Sequence, residues 1–133
     1  MAYLVDTSVL ISHLRQQETE ATARLRQLIS LDIPFGITTM VYLEVLQGAD
    51  SQSTFERLDV YLRSQTFYQA ADPITTYRDA AQLYVRCRRH GVSPRSTADC
   101  LIAVIAIEHD LLLLHDDRDY VAIARVISEL KLA

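Results

Sequence analysis

The sequence predicts an α/β fold, a short central parallel sheet flanked by helices, and two stretches carry that expectation. Tyr3-Leu4-Val5 is an apolar run that stops at Asp6-Thr7-Ser8 and hands over at once to Val9-Leu10-Ile11. Leu111 to Leu114 is a second apolar run, and it exits into His115-Asp116-Asp117-Arg118-Asp119-Tyr120. A helical pattern through Val121, Ile123, Ala124 and Ile127 follows. Short apolar runs bounded by turn signals read as buried strands, and strands alternating with helices argue for parallel pairing through right-handed crossovers. Both runs then deliver carboxylates to the carboxyl edge of the sheet, where open α/β sheets bind their ligands.

The elements between these strands follow from periodicity and punctuation. Val9 to about Arg15 reads as one short helix, with Asp6 able to serve as an ordinary N-cap in front of it. Glu18 to Leu31 places Ala21, Leu25, Leu28 and Ile29 on one face, with Arg24 and Arg26 outward. Pro34 and Gly36 punctuate, and Phe35-Gly36-Ile37 is a strand candidate. Thr38-Thr39 offers an N-cap to a helix running from Met40 to a stop at Gly48, in which Glu44 is the single acid. Ser53-Thr54-Phe55-Glu56 has capping-box spacing and opens a helix through Leu58, Tyr61 and Leu62. Phe67-Tyr68 is a weak strand candidate, and Asp72-Pro73 starts a helix that ends at Arg89-His90 before Gly91. Ser96-Thr97-Ala98-Asp99 then opens a helix whose next eight residues, Cys100 to Ile107, are all apolar. Such a helix has no wet face and must be buried nearly all round. Asp99 is its one early charge; it either caps the helix or is a costly carboxylate that a cation or donor must meet.

Composition sets bounds on what this chain does. Its 133 residues, half of them apolar, fit a single domain spanning 1–133 with a real core. No run approaches the ~20 apolar residues of a membrane span, and Asp6 interrupts the apolar start too early for a signal peptide. Cys87 and Cys100 are too few for a disulfide framework or a zinc site, and read as buried thiols in a reducing cytoplasm. The formal charge of −4 speaks at first against a nucleic-acid partner. If five of the 17 acids share one pocket, however, 12 acids face 13 bases on the rest of the molecule, which does not repel RNA. The densest positive region is Arg86, Arg88, Arg89, His90 and Arg95. Cations are favoured at a helix C-terminus, yet arginines beside an acidic site also suit phosphate, and Arg118 joins them as an RNA-binding candidate.

If the scattered carboxylates converge, their mutual repulsion decides the chemistry. Two unit charges about 4 Å apart repel by about 4 kcal/mol at an effective dielectric of 20. Four such groups make six pairs, a penalty comparable with a domain's whole stability. Either some carboxyls keep a proton or a divalent cation sits among them. Hard oxygen ligands, with His115 as the one histidine near enough in sequence to join them, select Mg²⁺ or Mn²⁺ over zinc.

Four motifs now stand in order along essentially the whole chain: Val5-Asp6-Thr7-Ser8, Glu44-Val45-Leu46-Gln47-Gly48, Ser96-Thr97-Ala98-Asp99-Cys100-Leu101-Ile102-Ala103 and Leu114-His115-Asp116-Asp117-Arg118-Asp119-Tyr120. Together they resemble the PIN-domain ribonucleases, and among these the VapC-type toxins of bacterial and archaeal toxin–antitoxin pairs. The resemblance implies a three-layer α/β/α fold and metal-dependent endonucleolytic cleavage of RNA. It implies that Asp6, Glu44, Asp99 and Asp117 form an acidic quartet with Asp119 as a fifth acid. Asp6, Asp99 and Asp117 would serve one or two Mg²⁺ or Mn²⁺ ions, Asp6 and Asp99 as direct ligands. Glu44 and Asp117 would hold metal-bound waters or orient the nucleophile, in exchangeable roles, and Thr7 or Ser8 would supply a hydroxyl within the site. A homodimer and a VapB-like antitoxin seated on the apolar surface of the first helices, with its exposed Tyr and Leu, are the implied partners. Two departures are visible: Tyr120 stands where Phe is more usual, and Asp116 adds an acid. Neither is expected to bear on the chemistry.

Three rivals fit less well. A receiver-like phosphoacceptor domain needs paired early acids and a late pocket lysine, whereas Asp6 stands alone and Lys131, the single lysine, lies near the end. A haloacid-dehalogenase-type phosphatase wants Asp where Ser8 stands. The third is a PIN-like module that binds RNA or protein without cutting.

Overall fold

The computed structural model describes residues 1–133 and contains one five-stranded sheet, ordered β3-β2-β1-β4-β5, with every pairing parallel. The strands are β1 (Tyr3–Val5), β2 (Phe35–Ile37), β3 (Thr66–Phe67), β4 (Leu112–Leu114) and β5 (Lys131–Leu132). The helices are α1 (Thr7–Leu14), α2 (Glu20–Ser30), α3 (Thr39–Gln47), α4 (Gln52–Arg63), α5 (Pro73–Arg89), α6 (Thr97–Glu108) and α7 (Arg118–Val126). The expected parallel sheet flanked by helices is therefore present.

β1 lies at the centre because all three of its residues are apolar and buried. It pairs with β2 on one side, Tyr3 opposite Phe35, and with β4 on the other, Val5 opposite Leu114. The chain thus leaves β1 in one direction and later returns on its other flank, which makes the β1/β4 boundary a topological switch point. At such a point the loops after the two strands diverge and open a crevice at their carboxyl ends. The Asp6 amide donates to the Leu114 carbonyl at 2.9 Å, which ties the first residue after β1 to the last residue of β4.

α6 behaves as its composition requires: Cys100 through Ala106 are all buried, packed mainly on α5. α5 starts at the Asp72 cap with Pro73 in the first turn and stops at Gly91, whose φ of +78° is a conformation other residues adopt at a cost. Several expectations need correction. Ser51, not Ser53, caps α4, accepting from the Thr54 amide, so the helix begins one turn's fraction earlier. Ile29 is 49% exposed rather than on the buried face of α2, and Thr22 takes its place in the core. The edge strand β5 had no signal in the sequence, because two residues carry no period.

Candidate active site

Four elements bring acids to the crevice between β1 and β4. Asp6 follows β1 and caps α1; Glu44 lies on α3; Asp99 is in the first turn of α6; Asp117 caps α7, with Asp119 in that helix's first turn. Each cap is the physical reason for its local geometry, since a carboxylate at a helix start accepts amides that have no intrahelical partner.

Asp6 is 4% exposed, and its oxygens are held from both sides. Its Oδ2 accepts from the Ser8 amide at 3.2 Å and the Ser8 hydroxyl at 2.6 Å. Its Oδ1 accepts from the Tyr120 hydroxyl at 2.8 Å. The same hydroxyl lies 3.2 Å from Oδ1 of Asp99. Asp99 is therefore not the cap of α6; the Ser96 hydroxyl accepts from the Ala98 amide, and the Asp99 carboxylate turns inward. Burial, then the charges of Asp6 and Asp117, push the Asp99 carboxyl up to about 6. Glu44 does not point into open solvent: its Oε1 accepts from the Thr7 hydroxyl at 2.7 Å.

On the outer side, Asp117 Oδ1 accepts from the Asp119 amide at 2.9 Å. Arg95 meets both acids, its Nε donating to Asp119 Oδ2 at 3.0 Å and a terminal nitrogen lying 3.4 Å from Asp117 Oδ1. Burial alone would raise the Asp119 carboxyl, but the Arg95 hydrogen bonds and charge outweigh it and hold it below its ordinary range. His115 contributes orientation: its Nδ1 accepts from the Asp117 amide at 3.2 Å, and burial pushes its pKa down against the pull of the neighbouring acids.

Oxygens of Asp99, Asp117 and Asp119 lie within 4.8 Å of one another. Asp119 rather than Asp6 completes this tightest group, with Asp6 joined to it through the Tyr120 hydroxyl. The donor set is all oxygen, no thiol reaches it, and the one cation facing it is the exposed Arg95. Such a set fits a hard divalent ion of the Mg²⁺ or Mn²⁺ kind.

The five arginine candidates separate. Arg95 touches the acids; Arg86 pairs with Glu129 at 3.1 Å, and Arg88 lies over the Tyr84 ring. Arg89 is exposed at the end of α5, and Arg118 is exposed between Asp117 and Asp119. Both departures from the motif, Tyr120 and Asp116, make contacts within the site. Tyr120 is fully buried and bridges two of the acids, and the Asp116 amide donates to the Ser8 hydroxyl at 3.3 Å. A signal for Tyr120 was available: it shares the buried stripe of α7 with Ile123, continued by Ile127 just past the helix end, and a buried phenol must find an acceptor.

The family model described as PIN domain matches residues 3–126. A Mycobacterium tuberculosis protein named Ribonuclease VapC11 is 35% identical over 127 residues, covering 92% of each chain. Among solved structures, VapBC2 from Rickettsia felis, bound to a DNA fragment from its promoter, aligns with a TM-score of 0.75 at 17% identity, over 100% of this chain and 98% of that one. VapBC-1 from nontypeable Haemophilus influenzae aligns at 0.71 and 16% identity, over 100% and 97%. The structural likenesses establish the fold, and the sequence match over nearly its full length is the stronger bond: the chain belongs to the PIN-domain family, among the VapC-type ribonucleases.

Proposed function

We propose that this chain is a divalent-metal-dependent endoribonuclease, the toxin of a VapBC-type toxin–antitoxin pair, using Mg²⁺ or Mn²⁺. The observation that carries the reading is the convergence of Asp6, Asp99, Asp117 and Asp119 on one crevice with little cationic compensation. Asp99, Asp117 and Asp119 are the residues placed to hold a cation, with Asp6 beside them. The chemistry supplied by a bound divalent ion is neutralisation of phosphoryl charge and activation of water.

The chain's own groups do the rest. Ser8 fixes Asp6, and Thr7 aims Glu44 so that its second carboxylate oxygen is available to orient the attacking water. Arg95, exposed at the rim, presents a guanidinium to a phosphodiester. The named relatives support RNA as substrate. The VapBC neighbours support a VapB-like partner; that it covers the crevice, and that the toxin is a homodimer, rest on the family resemblance alone. No helix is long and apolar enough to cross a membrane; action on RNA in the cytoplasm is part of the proposal.

The test is cleavage mapping on RNA with Mg²⁺ and with EDTA, for wild type and Asp99→Asn. Discrete cuts are expected from the wild type with Mg²⁺ alone. Growth arrest that survives Asp6→Asn would instead identify a module that binds without cutting.

A further inference from the structure

We infer that Tyr120 is a positioning residue of the acidic site: its hydroxyl spans Asp6 and Asp99 and sets the orientation of the two carboxylates toward a divalent cation. This rests on the metal-dependent reading above and adds a residue to it.

Three elements meet at this one oxygen. Tyr120 comes from the first turns of α7, Asp6 from the end of β1 and Asp99 from α6, at 2.8 and 3.2 Å. An ionised carboxylate has about four acceptor directions. Asp6 has three occupied, two by Ser8 and one by Tyr120, so its plane is fixed and one direction remains. Removing the hydroxyl frees Oδ1 of Asp6 and leaves buried Asp6 and half-buried Asp99 with no donor between them.

Packing alone does not require the hydroxyl. The ring is fully buried and lies against His115, with centroids 5.3 Å apart, and a phenylalanine ring fills that volume. The hydroxyl is the atom that reaches the acids, and burying it without acceptors is unfavourable. Groups that orient metal-holding side chains from behind typically change metal affinity about 10- to 100-fold when removed.

The experiment is a Mn²⁺ titration of the full chain followed by electron paramagnetic resonance, for wild type, Tyr120→Phe and Asp99→Asn. The expected result is a Mn²⁺ Kd weakened about 10- to 100-fold in Tyr120→Phe. Cleavage should recover at high Mn²⁺ with the KM for RNA unchanged. A wild-type Mn²⁺ Kd in Tyr120→Phe overturns the inference and leaves the nuclease reading standing. A wild type that binds no Mn²⁺, or an Asp99→Asn variant that binds it equally well, overturns both. Because Tyr120→Phe could fail to fold, wild type carrying ζ-¹³C tyrosine is also titrated with Mg²⁺. Of the seven tyrosine resonances, the one with contacts to the His115 ring should move, and its failure to move overturns the inference.

Discussion

The Thr7 hydroxyl donates to Oε1 of Glu44 at 2.7 Å, joining residues 37 positions apart and fixing the one acid that comes from α3. Thr7 immediately follows Asp6, so one dipeptide positions two acids. If Thr7 acts through Glu44, Thr7→Val should lower the cleavage rate about tenfold, as loss of an orienting partner does. Glu44→Gln should lower it about 100-fold or more, the range for a group that handles the nucleophile's proton. The double variant should be no worse than Glu44→Gln alone, because both changes break one interaction. Single-turnover cleavage of a fixed RNA checks this, and additive losses would mean that Thr7 acts elsewhere.

Asp99 makes the metal-free protein sensitive to pH. Its carboxyl rises from 3.8 to about 6 on folding. Below 3.8 both the folded and unfolded forms hold the proton, and Asp99 favours neither. As pH rises through that window the unfolded chain ionises first, so the folded state becomes less stable until the folded carboxyl also ionises near 6. Asp99→Asn should therefore melt several degrees above wild type at pH 7–8 without metal and no higher at pH 3.5. Adding Mg²⁺ at pH 7.5 should raise the wild-type Tm and leave that of the variant nearly unchanged. Calorimetric scans across pH, with and without Mg²⁺, measure both effects.

How much of this was legible in the chain depends on the range of the determining interaction. Asp6 and Asp117 were readable because an apolar run ending in a capping carboxylate is a local pattern, and the parallel pairing of β1 with β4 follows from alternation. Glu44 was readable only as an acid isolated on an apolar helix; its meeting with Thr7 is a tertiary event that spacing permits but does not specify. Tyr120 is legible as a departure from the motif, but periodicity is blind to where a buried aromatic's hydroxyl ends. The α4 cap falls on Ser51 and not Ser53, two serines that offer the same capping chemistry two residues apart, so residue type alone does not choose between them. Ile29 obeys the helical period, yet near the end of α2 it is left half exposed.

Arg95 should differ from the other arginines in its effect on RNA. Its guanidinium sits against Asp117 and Asp119, whereas Arg86 is engaged by Glu129 and Arg88 by Tyr84. Arg95→Ala should raise the KM for RNA about tenfold, the loss of one charge-assisted contact, and reduce the salt dependence of binding by roughly one counterion. Arg86→Ala should change neither. Binding measured across a salt series, with Ca²⁺ replacing Mg²⁺ to suppress cutting, separates the two variants.

Gly36 tests how the edge of the sheet supports the crevice. A Cβ built on it would lie 2.5 Å from the Thr66 carbonyl and 2.7 Å from the Tyr68 ring, closer than real contacts allow. The carbonyl is backbone of β3 and cannot rotate away, so Gly36→Ala must push β3 off β2, where Gly36 pairs with Thr66. Overpacking of this kind costs about 1–3 kcal/mol. The crevice lies beyond β1 on the far side, and β1 is still held by β4, so the site itself should survive. The expected outcome is a lower denaturation midpoint with Mn²⁺ affinity unchanged. A loss of Mn²⁺ binding at full secondary-structure content would show instead that the strain reaches Asp6 through β1.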